Sequence, residues 1–488
     1  MQVSKRQFAV NSLWKILEQF SGKGISMVIS IVLARLLLPS DYGLIALTGV
    51  FTNLSDILID GGFSTALIRK EKVDDYDYSA VFSVSSSLSV ILYAILFFAA
   101  PYVAKYYAEP NLTAVLRVMG LTFFIQAFTA VRNGIVNRNM QFKLLFYCNS
   151  ISSIVSGIIG IAAAYLGLGV WALVVQRLSQ QLLLTAFLFV KVKWKVTWRF
   201  NAQRIKEMLR FSAGVVGSSL LNFFGGNIYS VVIGKKYSVT DLGYYSKGEQ
   251  LPMQFSLYTF GAMSNVLLPT ISSCQNDLER VKHIIRKVVV MTSFLIMPLM
   301  AGLAITAKEV ICILFTDKWM LSVPIVPYMC LYYLATPYML INVQIFFALG
   351  HSELRVKTEI IRLSLMALGL GIFGFALNCS MTHLALVSGA IAVIVAIITY
   401  MEARKLINYS FGEVIRDMTK PAVCTALMAA AIYAFSPVVG ASGYIVSFVS
   451  KAAVGAVVYA ILSFAFKSEG LLDVLSLVKK NGQGMANE

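Results

Sequence analysis

Charge is scarce in this chain. Only 13% of its 488 residues are Asp, Glu, Lys or Arg, whereas 58% are hydrophobic, a balance that soluble domains cannot hide. Histidine is rarer still, with His283, His351 and His383 spread along the sequence. The six cysteines, at 148, 274, 312, 330, 379 and 424, form no CxxC pair and no metal spacing, so neither a disulfide framework nor a zinc site is expected. No nucleophile sits beside a base, no carboxylate pair stands on an outer domain, and no glycine loop is built to cradle phosphate. We therefore expect no enzyme, no catalytic residue, no metal and no cofactor. The opening stretch MQVSKRQFAVNSLWKILEQF has no small-residue cleavage site and carries Lys15, Glu18 and Lys23 where a signal peptide would be apolar. It is expected to be kept as a first helix.

What the chain has in abundance is apolar sequence. Its mean hydropathy is +0.74. Runs near the roughly 20 residues needed to cross a bilayer recur almost throughout. They suggest six spans between residues 11 and 190, six more between 211 and 401 (the second of these at about 243–268), and a last pair at about 421–436 and 444–466. HSELRVKTEIIR reads as part of an inner turn, and the longest outer connection, about 308–324, as a loop too short to form a catalytic domain. The expected fold class is therefore an all-α polytopic membrane protein of about 14 transmembrane helices.

Lys and Arg outnumber the acids 41 to 24, for a formal net charge of +17. No soluble basic domain or aromatic-rich sheet is present to turn that excess toward nucleic acid. It concentrates instead in alternate loops, as the positive-inside rule requires for two cytoplasmic termini. Residues 191–210, KVKWKVTWRFNAQRIKEMLR, hold seven basic residues against one acidic, interleaved with Trp194, Trp198 and Phe200. This composition reads as an interfacial linker whose cations meet anionic headgroups.

The turn chemistry around Pro39, Ser40, Asp41 and Gly43 returns 200 residues later as Val239, Thr240, Asp241 and Gly243. Pro39 breaks one helix, Ser40 and Asp41 can cap the next, and glycine permits close backbone approach. We read this as a duplication. It divides the chain into an N-terminal six-helix bundle (1–190), a basic cytoplasmic linker (191–210), a second six-helix bundle (211–405), and two extra helices with a cytoplasmic tail (406–488). Copies that begin on the same side are related by a pseudo-two-fold axis along the membrane normal, and a cleft between them is the natural substrate path.

An ionisable group at the bilayer centre costs about 2.5–3.5 kcal/mol, so each one calls for a partner, a cavity or a pathway. Lys15 lies near a span end and can snorkel to the interface. Lys23 lies deeper, and about 140° of helix rotation separates it from Glu18. Asn53, Asp56 and Asp60 recur at i, i+3 and i+7 as one polar stripe. Arg177 is flanked by Gln176, Gln180 and Gln181; Lys247, Gln250 and Gln254 share a face from which Glu249 points away. Cations attract phosphate and amides bond sugar hydroxyls, so Lys23, Arg177, Lys247, Gln250 and Gln254 form a candidate binding set for a bulky hydroxylated anion. The same residues can instead tie helices together. Asp56, Asp60 and Glu249 carry a second reading as proton or cation sites in coupled transport.

The segments ARLLLPSDYGLIAL, DGGFSTALIRKE, NRNMQFK and KYSVTDLGYYSKGEQLP resemble those of bacterial polysaccharide exporters of the Wzx flippase type, relatives of the multidrug and toxin extruders (MATE) and lipid II flippases in one superfamily (MOP). The resemblance covers about residues 1–470. It implies twelve core helices in two bundles plus two more, with alternating access to a central cavity in the bacterial cytoplasmic (inner) membrane. The implied cargo is an undecaprenyl-diphosphate-linked oligosaccharide for O antigen, colanic acid or another exopolysaccharide. The implied partners are that lipid-linked oligosaccharide, membrane lipids, a polysaccharide polymerase and a chain-length regulator. Cavity cations of the family's first and eighth helices correspond by position to Lys23 and Lys247, with Lys in place of the expected Arg. Two other readings stay open: a drug or cation antiporter on the same scaffold, and a membrane-embedded polymerase or ligase.

Overall fold

The computed structural model describes residues 5–63, 66–67, 70, 73–194, 202–439 and 443–466. Trp198, Phe200 and the amphipathic tail LLDVLSLVKK lie outside these residues. Within them every regular element is helical: α1 (Lys5–Leu36), α2 (Pro39–Asp60), α3 (Asp75–Tyr107), α4 (Asn111–Met119), α5 (Thr122–Arg138), α6 (Phe142–Tyr165), α7 (Val170–Lys191), α8 (Ala202–Lys236) and α9 (Val239–Ser272). The chain continues with α10 (Leu278–Ile305), α11 (Ala307–Phe315), a 3-10 segment (Asp317–Ile325), α12 (Val326–Ala348), α13 (Ser352–Gly369), a π turn (Leu370–Ala376), α14 (Met381–Ile407), α15 (Phe411–Val439) and α16 (Tyr444–Ala465).

Among the described residues, thirteen helical segments are long and apolar enough to cross a membrane. The span expected near 243–268 is also helical, inside α9. The protein is thus a multi-pass, all-α membrane protein. Residues 402–420, expected as a loop, are mostly helix: α14 runs to Ile407 and α15 starts at Phe411, with Asn408 in the left-handed conformation between them.

Packing divides the chain into two units, Met1–Gly243 and Tyr244–Glu488. In the first, α1 lies along α6, α6 along α7, and α2 touches α3, α5, α7 and α8. In the second, α12 pairs with α14, α10 with α12 and α15, and α16 with α15 and α11. Ile285, Val289, Ile341 and Phe346 anchor a core in the second unit.

The repeated turn folds alike in both copies, but its cap sits earlier than expected. Pro39 is the first residue of α2, Leu38 is the cap, and the Asp41 carboxylate accepts the Leu38 N–H at 3.0 Å. In the second copy Ser238 occupies the cap, its hydroxyl accepting the Asp241 N–H at 2.9 Å and donating to the Asp241 carboxylate at 2.7 Å. Proline fits at the first helical position because the N–H it lacks would have no partner there.

The stretch near 308–324, expected as an outer loop, is the largest departure. It forms α11 and the 3-10 segment, and inserts Trp319 and Phe315 into the protein at 0% and 1% exposure. Ser322 donates to the Tyr244 carbonyl at 2.8 Å, fastening the segment to α9.

Candidate functional site

In the first unit, α2 carries the polar stripe: Asn53 is exposed, and Asp56 and Asp60 are partly buried. Because α2 contacts α7, Arg177 acts electrostatically on Asp56, and so does Asp60. The Arg177 side chain is exposed. Its neighbouring amides do other work. Gln180 donates to the Ser153 hydroxyl at 3.1 Å and Gln181 to the Gln126 carbonyl at 2.7 Å, tying α7 to α6 and α5. Gln176 lies where a Cβ on Gly160 would come within 2.6 Å of it, so α6 and α7 meet closely there.

Lys23 is exposed on α1. Glu18 is held by Lys15 at 2.9 Å and by the Asn149 amide at 2.9 Å, which satisfies both carboxylate oxygens. The i,i+3 spacing brings Lys15 to Glu18, as the 140° offset of Lys23 does not.

In the second unit, Lys247 is 3% exposed. Its ammonium donates to the Gln250 side-chain oxygen at 2.9 Å and stands 4.9 Å from the Phe315 ring and 5.8 Å from the Trp319 ring. Two aromatic faces and one amide thus stabilise the charge in place of water. Glu249 points elsewhere, accepting the Tyr333 hydroxyl at 2.7 Å from α12. The Gln254 side-chain oxygen is buried without a hydrogen-bond partner among the described residues.

The structure also uses polar residues that the sequence reading passed over. Arg362 donates to Glu359 at 3.1 Å and reaches the Tyr332 hydroxyl at 3.4 Å, while Arg355 pairs with Glu359 at 3.1 Å. Their i,i+3 and i,i+4 spacings on α13 are the signal the sequence carries for this cluster, which a reading of the segment as a turn does not use. Glu309 on α11 accepts from Lys451 and, at 2.9 Å, from Ser447, both on α16. Arg286 forks onto Asp417 at 2.8 and 2.7 Å, and Lys282 reaches Glu413 at 2.9 Å. No local pattern announces these last pairs.

These long apolar helices, with ion pairs and hydrogen-bonded amides between them, define a membrane transporter fold. The inward-closed lipid II flippase MurJ superimposes with a TM-score of 0.75, covering 93% of this chain and 98% of that one at 18% identity. The likeness is one of fold. Residues 32–324 match the family described as polysaccharide biosynthesis protein, and the chain belongs to that family. Among its relatives, the succinoglycan biosynthesis transport protein ExoT of Rhizobium meliloti is 25% identical over 66% of this chain and 65% of its own length. The chain therefore spans about two thirds of that relative. The teichuronic acid biosynthesis protein TuaB of Bacillus subtilis is 22% identical over 77% of this chain and 78% of its own.

Proposed function

We propose that this protein is a flippase that carries an undecaprenyl-diphosphate-linked oligosaccharide across the bacterial cytoplasmic membrane for surface polysaccharide synthesis. The observation that carries this reading is the family match lying on a fold shared with a flippase of another lipid-linked substrate. In this reading the protein is no enzyme: it exchanges the leaflet of its cargo and leaves every bond intact. Both termini lie in the cytoplasm, and a polymerase and a chain-length regulator act on the exported repeat.

The six-helix repeats 1–190 and 211–405 are the moving halves of an alternating-access cycle, joined by the basic linker 191–210, with 406–488 as an appendage. Exposed Lys23 and Arg177 meet the diphosphate. Asp56 and Asp60 keep the Arg177 guanidinium charged and oriented, and exchange a proton or cation as the anion leaves. Lys247, Gln250 and Gln254 form the second binding cluster, and Glu249 the second coupling carboxylate. Lys247 reaches cargo only when α11 and the 3-10 segment withdraw its aromatic cover.

Reconstituted full-length protein in vesicles carrying a fluorescent undecaprenyl-diphosphate oligosaccharide on one leaflet tests this directly. Transfer to the other leaflet at a rate above empty vesicles is expected. Transfer of an organic cation instead of the lipid-linked sugar would replace this reading with the antiporter.

A further inference from the structure

Arg132 is the most anomalous charge in the first unit. It is 0% exposed, and among the described residues no carboxylate pairs with it. One N–H bonds the Phe128 carbonyl at 3.0 Å, while Nε and the second terminal nitrogen have no hydrogen-bond partner among the described residues. Its guanidinium carbon lies 4.2 Å from the Phe189 ring and 5.5 Å from the ring of Trp194, whose own Nε1 is buried and unpartnered. Three donor nitrogens thus gather with no acceptor for them among the described residues. A buried charge left so is costly unless something supplies the missing acceptors.

Beside these donors runs an apolar cavity of about 350 Å³ between α5 and α7, walled by Ile125 and Phe128 on one helix and by Leu182, Ala186 and Phe189 on the other. Phe128, Leu182 and Phe189 are exposed on a surface of membrane-spanning helices. The two features are aligned. Arg132 lies six residues from the end of α5, about 9 Å of helix rise. That end also gathers Arg138 and the Lys70–Asp77 pair. Charges collected there mark a membrane interface, at which lipid phosphates sit. From Arg132 the cavity leads away from that end, through Phe128 and Ile125 on α5 and through Ala186 and Leu182 on α7, toward the bilayer centre.

The geometry points to a binding site for one anionic phospholipid in the first unit, with its phosphodiester on Arg132 and Trp194 and an acyl chain in the α5–α7 groove. Phe189 covers the guanidinium and turns outward when the phosphate enters. The site is separate from the polar stripe of α2 and makes no use of the exported cargo. A lipid there supplies the acceptors that the fold withholds, and clamps α5 to α7.

Native mass spectrometry of the purified full-length protein, titrated with phosphatidylglycerol or phosphatidylcholine of identical acyl chains, tests this. Wild type is expected to retain phosphatidylglycerol about tenfold better, as charge-assisted hydrogen bonds imply. Arg132→Met, of similar volume, should abolish the preference without lowering the melting temperature of the delipidated protein. Ala186→Phe should fill the groove and weaken retention of both lipids. Glycerol phosphate, which has no chain, should not be retained. Equal retention of the two lipids by wild type, an unchanged preference in Arg132→Met, or capture of glycerol phosphate as firmly as phosphatidylglycerol would each overturn the assignment.

Discussion

Gly43 and Gly243 meet backbone to backbone within the first unit, although 200 residues separate them. A Cβ on Gly43 would fall 1.7 Å from the Val239 carbonyl oxygen, and one on Gly243 would fall 2.0 Å from the Pro39 carbonyl oxygen. The contact is reciprocal: each repeated turn uses its glycine to admit the first residue of the other's helix. Carbonyl groups cannot move aside as side chains can. Gly43→Ala or Gly243→Ala should therefore cost stability at the upper end of the ~1–3 kcal/mol typical of overpacking. Gly49→Ala, in the same helix with nothing within 4 Å, should be neutral or mildly stabilising. Thermal unfolding of the three purified variants checks this, and an unaltered melting temperature for Gly43→Ala would count against the reciprocal contact.

That contact also marks how far the sequence could be read. The proline, acid and glycine of the turn were visible at both positions because turn chemistry is local. The helices were visible because the bilayer imposes a length and a composition on every span. What stayed hidden was pairing across distance. Glu309 falls in the stretch expected as an outer loop and Lys451 in an expected span, and only folding brings α11 against α16. Arg132 raised no signal, for it lies near a span end where a cation ordinarily snorkels to water. Its burial follows from Phe189 and Trp194 closing over it, contacts that helical periodicity does not encode.

Trp319 measures how much the supposed outer loop contributes. It is fully buried, with the Phe315 ring at 6.2 Å and the Tyr244 ring at 6.0 Å. Trp319→Ala should cost about 3–5 kcal/mol, as large core truncations do, and should lower the melting temperature. A solvent-exposed loop would give almost no change. The same truncation uncovers Lys247, so a water-soluble amine-reactive reagent should label that lysine faster in the variant than in wild type.

Arg177 and Lys247 should separate under mutation, because one is exposed and the other enclosed. Arg177→Gln removes a cation from the surface beside Asp56 and breaks no hydrogen bond between α7 and α5 or α6. Polysaccharide display is expected to fall by about tenfold or more, the loss typical of one charge-assisted phosphate contact, with membrane abundance unchanged. Lys247→Met keeps the volume and removes a buried charge, so the fold should tolerate it. If display also collapses in Lys247→Met at normal abundance, Lys247 contacts cargo during the cycle. Wild-type display from both variants would remove the two cations from the binding site.

Glu309 and Lys451 form an ion pair about 9% exposed on each side chain, with the Ser447 hydroxyl completing the carboxylate's partners. Burial by itself would raise the Glu309 carboxyl; the Lys451 ammonium, together with the hydrogen bonds from the backbone and Ser447, outweighs it and holds the group below its ordinary value. Removing one partner leaves the other charge buried, so Lys451→Met should cost about 3–5 kcal/mol. The double variant Glu309→Gln with Lys451→Met removes both charges and should recover most of that loss, a coupling that two independent surface residues would not display. The pH dependence has a definite sign. A carboxylate whose folded value is depressed adds stability that is complete above its unfolded value, about 4.3. That stability is lost as the pH falls through the lower folded value. Melting temperatures of wild type and the double variant should therefore lie close near pH 6, and that of wild type alone should fall as the pH drops toward about 3, where a protonated Glu309 leaves the Lys451 ammonium without its partner.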